Sequence, residues 1–240
     1  MFVGHYGIGF ALKKVDTAIS LGLLFVAVQF ADILWPIFVW LGLERFTIVP
    51  GFTATSPFVF QSYPFSHSLT AACLWSIIGF AIVLALPLKG KKMFAAGVVG
   101  VGIFSHYLLD LVVHVRDLPI TMTGKTKIGL GLWNHYWLSI GLEMILLFGG
   151  LAIYLRATKG TSFVGKFGAV ILALFLALMQ VLSTLQAPPD NPKMITGMGF
   201  LINIVIAGLA FWLDRKRETR FARVEPESRN FLSKQPIVDN

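Results

Sequence analysis

The sequence predicts an all-α, polytopic integral membrane protein, and three observations predict it. Six stretches approach the roughly 20 apolar residues needed to cross a bilayer. Charge is scarce: 13% of the 240 residues are Asp, Glu, Lys or Arg, 56% are hydrophobic, and the mean hydropathy is +0.75. A soluble chain carries about 25% charged residues. The basic residues also fall between the apolar stretches in alternating abundance, as they do in membrane proteins with a fixed orientation.

The elements follow in order. Residues 1–12 are mostly apolar but too short to span, which predicts a partial or re-entrant helix anchored at Lys13 and Lys14. At about 1.5 Å per residue, such a helix lifts His5 about 12 Å above the interface. A first span is expected over 18–43 and keeps its place in the mature chain, because no small-residue cleavage site closes it. Residues 58–65, between the breakers Pro57 and Pro64, are expected to dip into the outer face ahead of His67. Five more spans are expected over 66–88, 93–115, 136–155, 164–185 and 195–213. Residues 1–213 thus form one membrane domain, and 214–240 a basic, polar, disordered tail opening with Arg215, Lys216, Arg217 and Arg220.

Loop charge sets the orientation. One side collects 15 basic residues and the other 5, which places both termini in the cytoplasm. The net charge of +8 does not point to nucleic acid, since the basic residues lie in short loops and the tail, not on a surface interleaved with aromatics. The single cysteine, Cys73, lies in an apolar run, so it supports neither an intrachain disulfide nor a thiolate metal site. No internal repeat is visible of the kind that builds inverted-repeat transporters.

The chemistry concentrates in Ser105-His106-Tyr107-Leu108-Leu109-Asp110-Leu111-Val112-Val113-His114. At about 100° per residue, His106, Asp110 and His114 fall within an arc of about 80° on one helix face. An ionisable group at the centre of a membrane helix costs about 2.5 kcal/mol or more, so three on one face require partners, a metal or a water-filled cavity. Asp32, His67 and Glu143 fall on the same outer side of the predicted membrane and can share that pocket. Imidazole and carboxylate donors suit zinc first, and manganese, iron or nickel after it. The missing thiolate argues against a purely structural zinc site. His114 and Glu143 are candidates for proton transfer beside the metal. Asp117 either rims the pocket, or pairs with Arg116 or caps the turn before Pro119. Gly129 and Gly131 permit close backbone approach, and Asn134 is a candidate cap for the following helix. His135 lies between Trp133 and Trp137, which is the company of an interfacial belt.

The order Gly4-His5, Asp32, His67-Ser68 and His106-x-x-x-Asp110 resembles the membrane-bound metal-dependent hydrolases, including their LexA-regulated inner-membrane group. The run from Ser105 through Asn134 looks particularly like one branch of that family, and the resemblance covers residues 1–155. It implies a metal-binding set of His5, Asp32, His67, His106 and Asp110, a location in a bacterial inner membrane, and a distant link to zinc phospholipases C and nucleases. The activity it implies is hydrolysis of a lipid-linked ester or phosphoester reached from the outer leaflet. One departure matters: where the family often doubles the aspartate, this chain has Phe30-Ala31-Asp32-Ile33, which argues for one ion. The competing expectation is a transporter using the same residues as a proton or metal-ion pathway. A third is an assembly or sensor protein with a structural metal.

Overall fold

The computed structural model describes residues 1–86, 91–189 and 191–220. Among them nine α-helices are joined by short loops and three two-stranded antiparallel ribbons. The helices are α1 (Val3–Val15), α2 (Leu21–Val28), α3 (Phe30–Trp40), α4 (Pro64–His67), α5 (Leu69–Ala85), α6 (Lys92–Val113), α7 (Tyr136–Ala157), α8 (Phe163–Leu185) and α9 (Pro192–Asp214). The ribbons pair β1 (Arg45–Ile48) with β2 (Phe58–Ser62), β3 (Leu118–Pro119) with β4 (Lys127–Ile128), and β5 (Thr158–Gly160) with β6 (Arg217–Thr219).

Four helices, α6 to α9, are long and apolar enough to cross a membrane. Their outward faces carry exposed Ile145, Ile171, Leu174, Phe175, Leu201 and Val205, side chains that water would not tolerate as a continuous surface. The protein is an integral membrane protein. Six full spans are not confirmed; four to five are found among the described residues. Residues 18–43 form two helices, α2 and α3, bent by 55° at Gln29, which count as a fifth span only if taken as one broken crossing. The stretch expected over 66–88 yields the 17-residue α5. At about 1.5 Å per residue that is about 26 Å, short of the roughly 30 Å hydrocarbon thickness.

Helix starts follow side-chain chemistry. Ser20, Ser68 and Ser162 each accept a hydrogen bond from a first-turn amide of α2, α5 and α8, and Asn191 accepts two from α9. The N-cap of α7 is His135 and not Asn134, which belongs to a 3₁₀ turn at Leu132–Asn134.

The predicted dipping segment is instead a strand. Residues 58–62 pair with 45–48, and Phe46, Phe60 and Tyr63 pack with Trp35 and Trp133 into an aromatic cap over the end of α6. The first part of the basic tail is also structured. Arg217 of β6 donates to the hydroxyl and carbonyl of Thr158 and to the carbonyl of Gly165, while its guanidinium lies 5.1 Å from the Tyr154 ring centre. Residues 221–240 lie outside the described part. Lys13, expected as an interfacial anchor, is buried: its Nζ donates to Asp214 Oδ2 (2.6 Å) and to the carbonyl of Ile19 (2.7 Å).

α1 is the element that brings the N-terminal segment into the interior. Its Val3, Gly4, His5, Tyr6, Gly7, Gly9 and Phe10 are buried. Gly7 lies so close to Leu146, Leu147 and Gly150 of α7 that a Cβ on either glycine would overlap the opposite backbone. Glu143 of α7 completes the docking by accepting the amides of Phe2 (3.0 Å) and Gly4 (3.1 Å) on Oε2.

Candidate metal centre

The site forms where α1, α3, α4 and α6 meet. Helical register alone puts His106 and Asp110 on the same inward stripe of α6, with His114 at its C-cap. Docking of α1 supplies His5. The break at Gln29 puts Asp32 in the first turn of α3, and Pro36, four residues on, has no N–H to offer the Asp32 carbonyl. His67 comes from α4, a single turn begun by Pro64.

The five predicted metal-ligating residues converge. Asp32 Oδ1 lies 3.3 Å from His67 Nε2 and 3.8 Å from His106 Nε2, and Asp110 Oδ2 lies 3.7 Å and 3.3 Å from the same two nitrogens. Four donors at about 2.0–2.1 Å from a tetrahedral ion stand about 3.3 Å from one another, and these histidine–carboxylate separations are close to that spacing. His5 lies on the other side: its Nε2 is 3.2 Å from Asp110 Oδ1, and its ring stacks on His106 with centres 3.8 Å apart. The donor atoms of His5, Asp32 and His106, and those of His67, His106 and Asp110, each gather within 4.8 Å. The amino nitrogen of Met1 also lies 2.7 Å from Asp110 Oδ1.

Two buried nitrogens in this cluster, His5 Nδ1 and His106 Nε2, have no hydrogen-bond partner among the described residues. An orphaned polar atom in the interior costs about 1–3 kcal/mol. The donor set, its spacing and its orphaned nitrogens all fit a metal ion, and these His and Asp groups are able to hold one.

The outer nitrogen of each α6 histidine is pinned. His106 Nδ1 lies 2.8 Å from the carbonyl of Val28, which can only accept, so in the neutral ring Nδ1 carries the proton and Nε2 a lone pair. His114 Nδ1 lies 3.0 Å from Asp117 Oδ1, and its Nε2 points at Asp110 Oδ2 from 3.6 Å. Burial holds His114 below the ordinary histidine pKa, with the neighbouring carboxylates working in the other direction. Tyr63, which donates to Asp117 Oδ1, is raised well above the usual phenol value by burial and then by the charge of Asp117. Trp133 covers the outer face of His114 with ring centres 4.1 Å apart, a contact that replaces the interfacial role its sequence position suggested.

The other predicted residues divide. His114 stands beside the cluster as expected, whereas Glu143 spends Oε2 on the α1 amides. Gly129, at φ +156°, passes against the carbonyls of His114 and Val115, and Gly131 N–H donates to the His114 carbonyl (2.7 Å), closing the end of α6. Glu44 and Ser66 stand behind His67 without having been singled out from sequence. Their only advance signal is an acid in an apolar loop and a Ser-His pair.

Access is unequal. Asp32 is 25% exposed by its side chain, while those of His5, His67, His106, Asp110 and His114 are 5% or less. A narrow cleft reaches His67 and His106 between walls of Phe30, Ala31, Ala72, Trp75, Ile103 and Tyr107. Comparison of the chain with protein-family models, with curated proteins and with solved structures finds no match.

Proposed function

We propose that the protein is a metal-dependent membrane hydrolase acting on a lipid-linked ester or phosphoester. One observation carries the reading. In their neutral forms His106 and His114 keep the proton on Nδ1, toward the Val28 carbonyl and Asp117, and turn the Nε2 lone pair toward a carboxylate oxygen that also has only lone pairs to offer. Lone pairs converging in a buried site repel one another unless a cation lies among them.

A zinc or manganese ion held by His67, His106, Asp32 and Asp110, with His5 adjoining, supplies Lewis acidity toward a phosphoryl or acyl oxygen and makes water a nucleophile at neutral pH. The chain's own groups do the rest. Asp117 keeps the Nδ1 proton of His114 in place, so Nε2 remains free to take a proton from an attacking water and later return it to a leaving oxygen. The aromatic cap excludes bulk water from that side. Asp32, the one partly exposed member of the cluster, and its apolar neighbours Phe30, Ala31 and Trp75 favour a substrate whose polar group rides on a lipid chain.

The resemblance in the order of site residues supports the same chemistry and a bacterial inner-membrane location. The basic-loop asymmetry supports placing Lys13 and the end of α9 on the cytoplasmic side and therefore an outer-leaflet site; the expectation that both termini are cytoplasmic is corrected for the N-terminus, since the Met1 amino nitrogen lies in the cluster at the opposite end of α1. The test is elemental analysis of detergent-purified protein, wild type beside His106→Ala and Asp110→Ala, followed by hydrolysis assays on lipid phosphoesters. One or two equivalents of metal are expected, lost in both variants together with turnover. No metal after reconstitution with zinc or manganese would overturn the reading in favour of a proton-coupled transporter.

A further inference from the structure

Glu44 lies between α3 and β1, outside every helix, yet it is only 1% exposed. A buried carboxylate is costly unless donors surround it. Three do: the amides of Phe65 and Ser66 donate to Oε1 (both 2.8 Å), and the Ser66 hydroxyl donates to Oε2 (2.7 Å). Burial pushes the Glu44 carboxyl above the ordinary glutamate value, and these donors work against the rise.

The Ser66 bond has a consequence beyond Glu44. A serine hydroxyl owns one proton, and once that proton is given to Glu44 the oxygen can only accept. His67 Nδ1 lies 2.7 Å from Ser66 Oγ. The proton on His67 must then sit on Nδ1, which leaves the Nε2 lone pair directed between Asp32 Oδ1 and Asp110 Oδ2. Ser66 alone would leave the direction of this bond open, since a hydroxyl donates or accepts; Glu44 closes the choice.

We propose that Glu44 and Ser66 form a positioning relay that fixes the tautomer and ring orientation of His67 as a metal ligand, with Glu44 acting through Ser66. The proposal rests on the metal-centre reading above. His106 and His114 obtain the same result from Val28 and Asp117 directly, so the three histidines nearest Asp110 Oδ2 present Nε2 by three different routes. The bland alternative is that Glu44 merely caps α4. Its Oε1 does so with two amides, but the Oε2 bond to a side-chain hydroxyl serves no cap.

Three full-length variants separate these roles. Ser66→Ala removes the relay while keeping both cap amides, Ser66→Thr restores a hydroxyl, and Glu44→Gln keeps a neutral cap acceptor without the charge. Zinc dissociation constants are measured in detergent by chelator competition. The His67 tautomer is read by nitrogen NMR on histidine-labelled, metal-free protein, and melting of the metal-free protein is followed alongside. The relay predicts zinc binding weakened about 10- to 100-fold in Ser66→Ala. It also predicts near-normal binding in Ser66→Thr, loss in Glu44→Gln, and a His67 no longer confined to the Nδ1–H form in Ser66→Ala. Unchanged zinc affinity and tautomer in Ser66→Ala would overturn the relay while leaving the metal centre standing. A melting temperature lowered in Glu44→Gln alone, with zinc affinity unchanged in all three, would reduce Glu44 to a cap. A wild type that binds no zinc would instead remove the metal centre itself.

Discussion

The proton on His114 decides what that residue can do. With Asp117 accepting from Nδ1, Nε2 is a base; with Asn in its place, an amide N–H can face Nδ1 and drive the proton to Nε2, where it would block proton uptake. Asp117→Asn is therefore expected to lower turnover of a bis-nitrophenyl phosphodiester about 10²- to 10⁴-fold, the usual contribution of a positioned general base, while metal content stays at the wild-type level. Unchanged turnover would remove His114 from the chemistry, and loss of metal would make it a ligand. Much of this site is legible in sequence because helical register is a local property: His106, Asp110 and His114 share a face whatever the rest of the chain does. Glu44 is not legible, since a lone acid in a loop has no period and its partner, Ser66, lies 22 positions away. Glu143 shows the converse. Its place in an apolar span marks it as costly, but only the docking of α1 shows that its Oε2 is occupied by backbone amides.

A helix of 13 residues that buries a histidine at the centre of the molecule must itself be held, and α1 is held by contact rather than by length. Gly7 and Gly150 let the backbones of α1 and α7 touch. Gly7→Leu is expected to separate them, lowering the melting temperature and releasing metal, because overpacking a tight contact costs about 1–3 kcal/mol and the displaced element carries His5. Gly149→Ala on the neighbouring face of α7 meets nothing within 4 Å among the described residues and should leave both quantities unchanged. Wild-type metal content and stability in Gly7→Leu would show that α1 docks without this contact. The long helices α6 to α9 are legible as apolar runs, whereas the break at Gln29 is not: neither Pro nor Gly marks it, and Pro36 falls one helical repeat of seven residues later. The β1–β2 ribbon is hidden for another reason. Phe58-Val59-Phe60 is as apolar as a membrane segment, and its strand character comes from pairing with Ile48, Thr47 and Phe46 upstream.

At the scale of the molecule the two ends of the bundle are built differently. One end carries the metal-ligating cluster beneath the β1–β2 ribbon, the β3–β4 ribbon and the aromatic cap; the other is closed by the β5–β6 ribbon and the buried Lys13–Asp214 pair. The basic residues concentrate at the second end, where Lys13, Lys14, Lys159, Lys166, Arg215 and Arg217 lie, and on the function proposed above this asymmetry would orient the cluster outward. The orientation decides which leaflet supplies the substrate. In a Cys73→Ala background, single cysteines at the exposed positions Ala54 and Glu218 report on opposite ends. A membrane-impermeant maleimide applied to intact cells should label Ala54→Cys at once and Glu218→Cys only after lysis. The reverse pattern would place the cluster at the cytoplasmic face. The apolar cleft to His67 and His106 would then draw from the inner leaflet, and the charge bias would be a property of the β5–β6 clasp, where Arg217 and Arg220 are tied to Thr158, and not of membrane insertion.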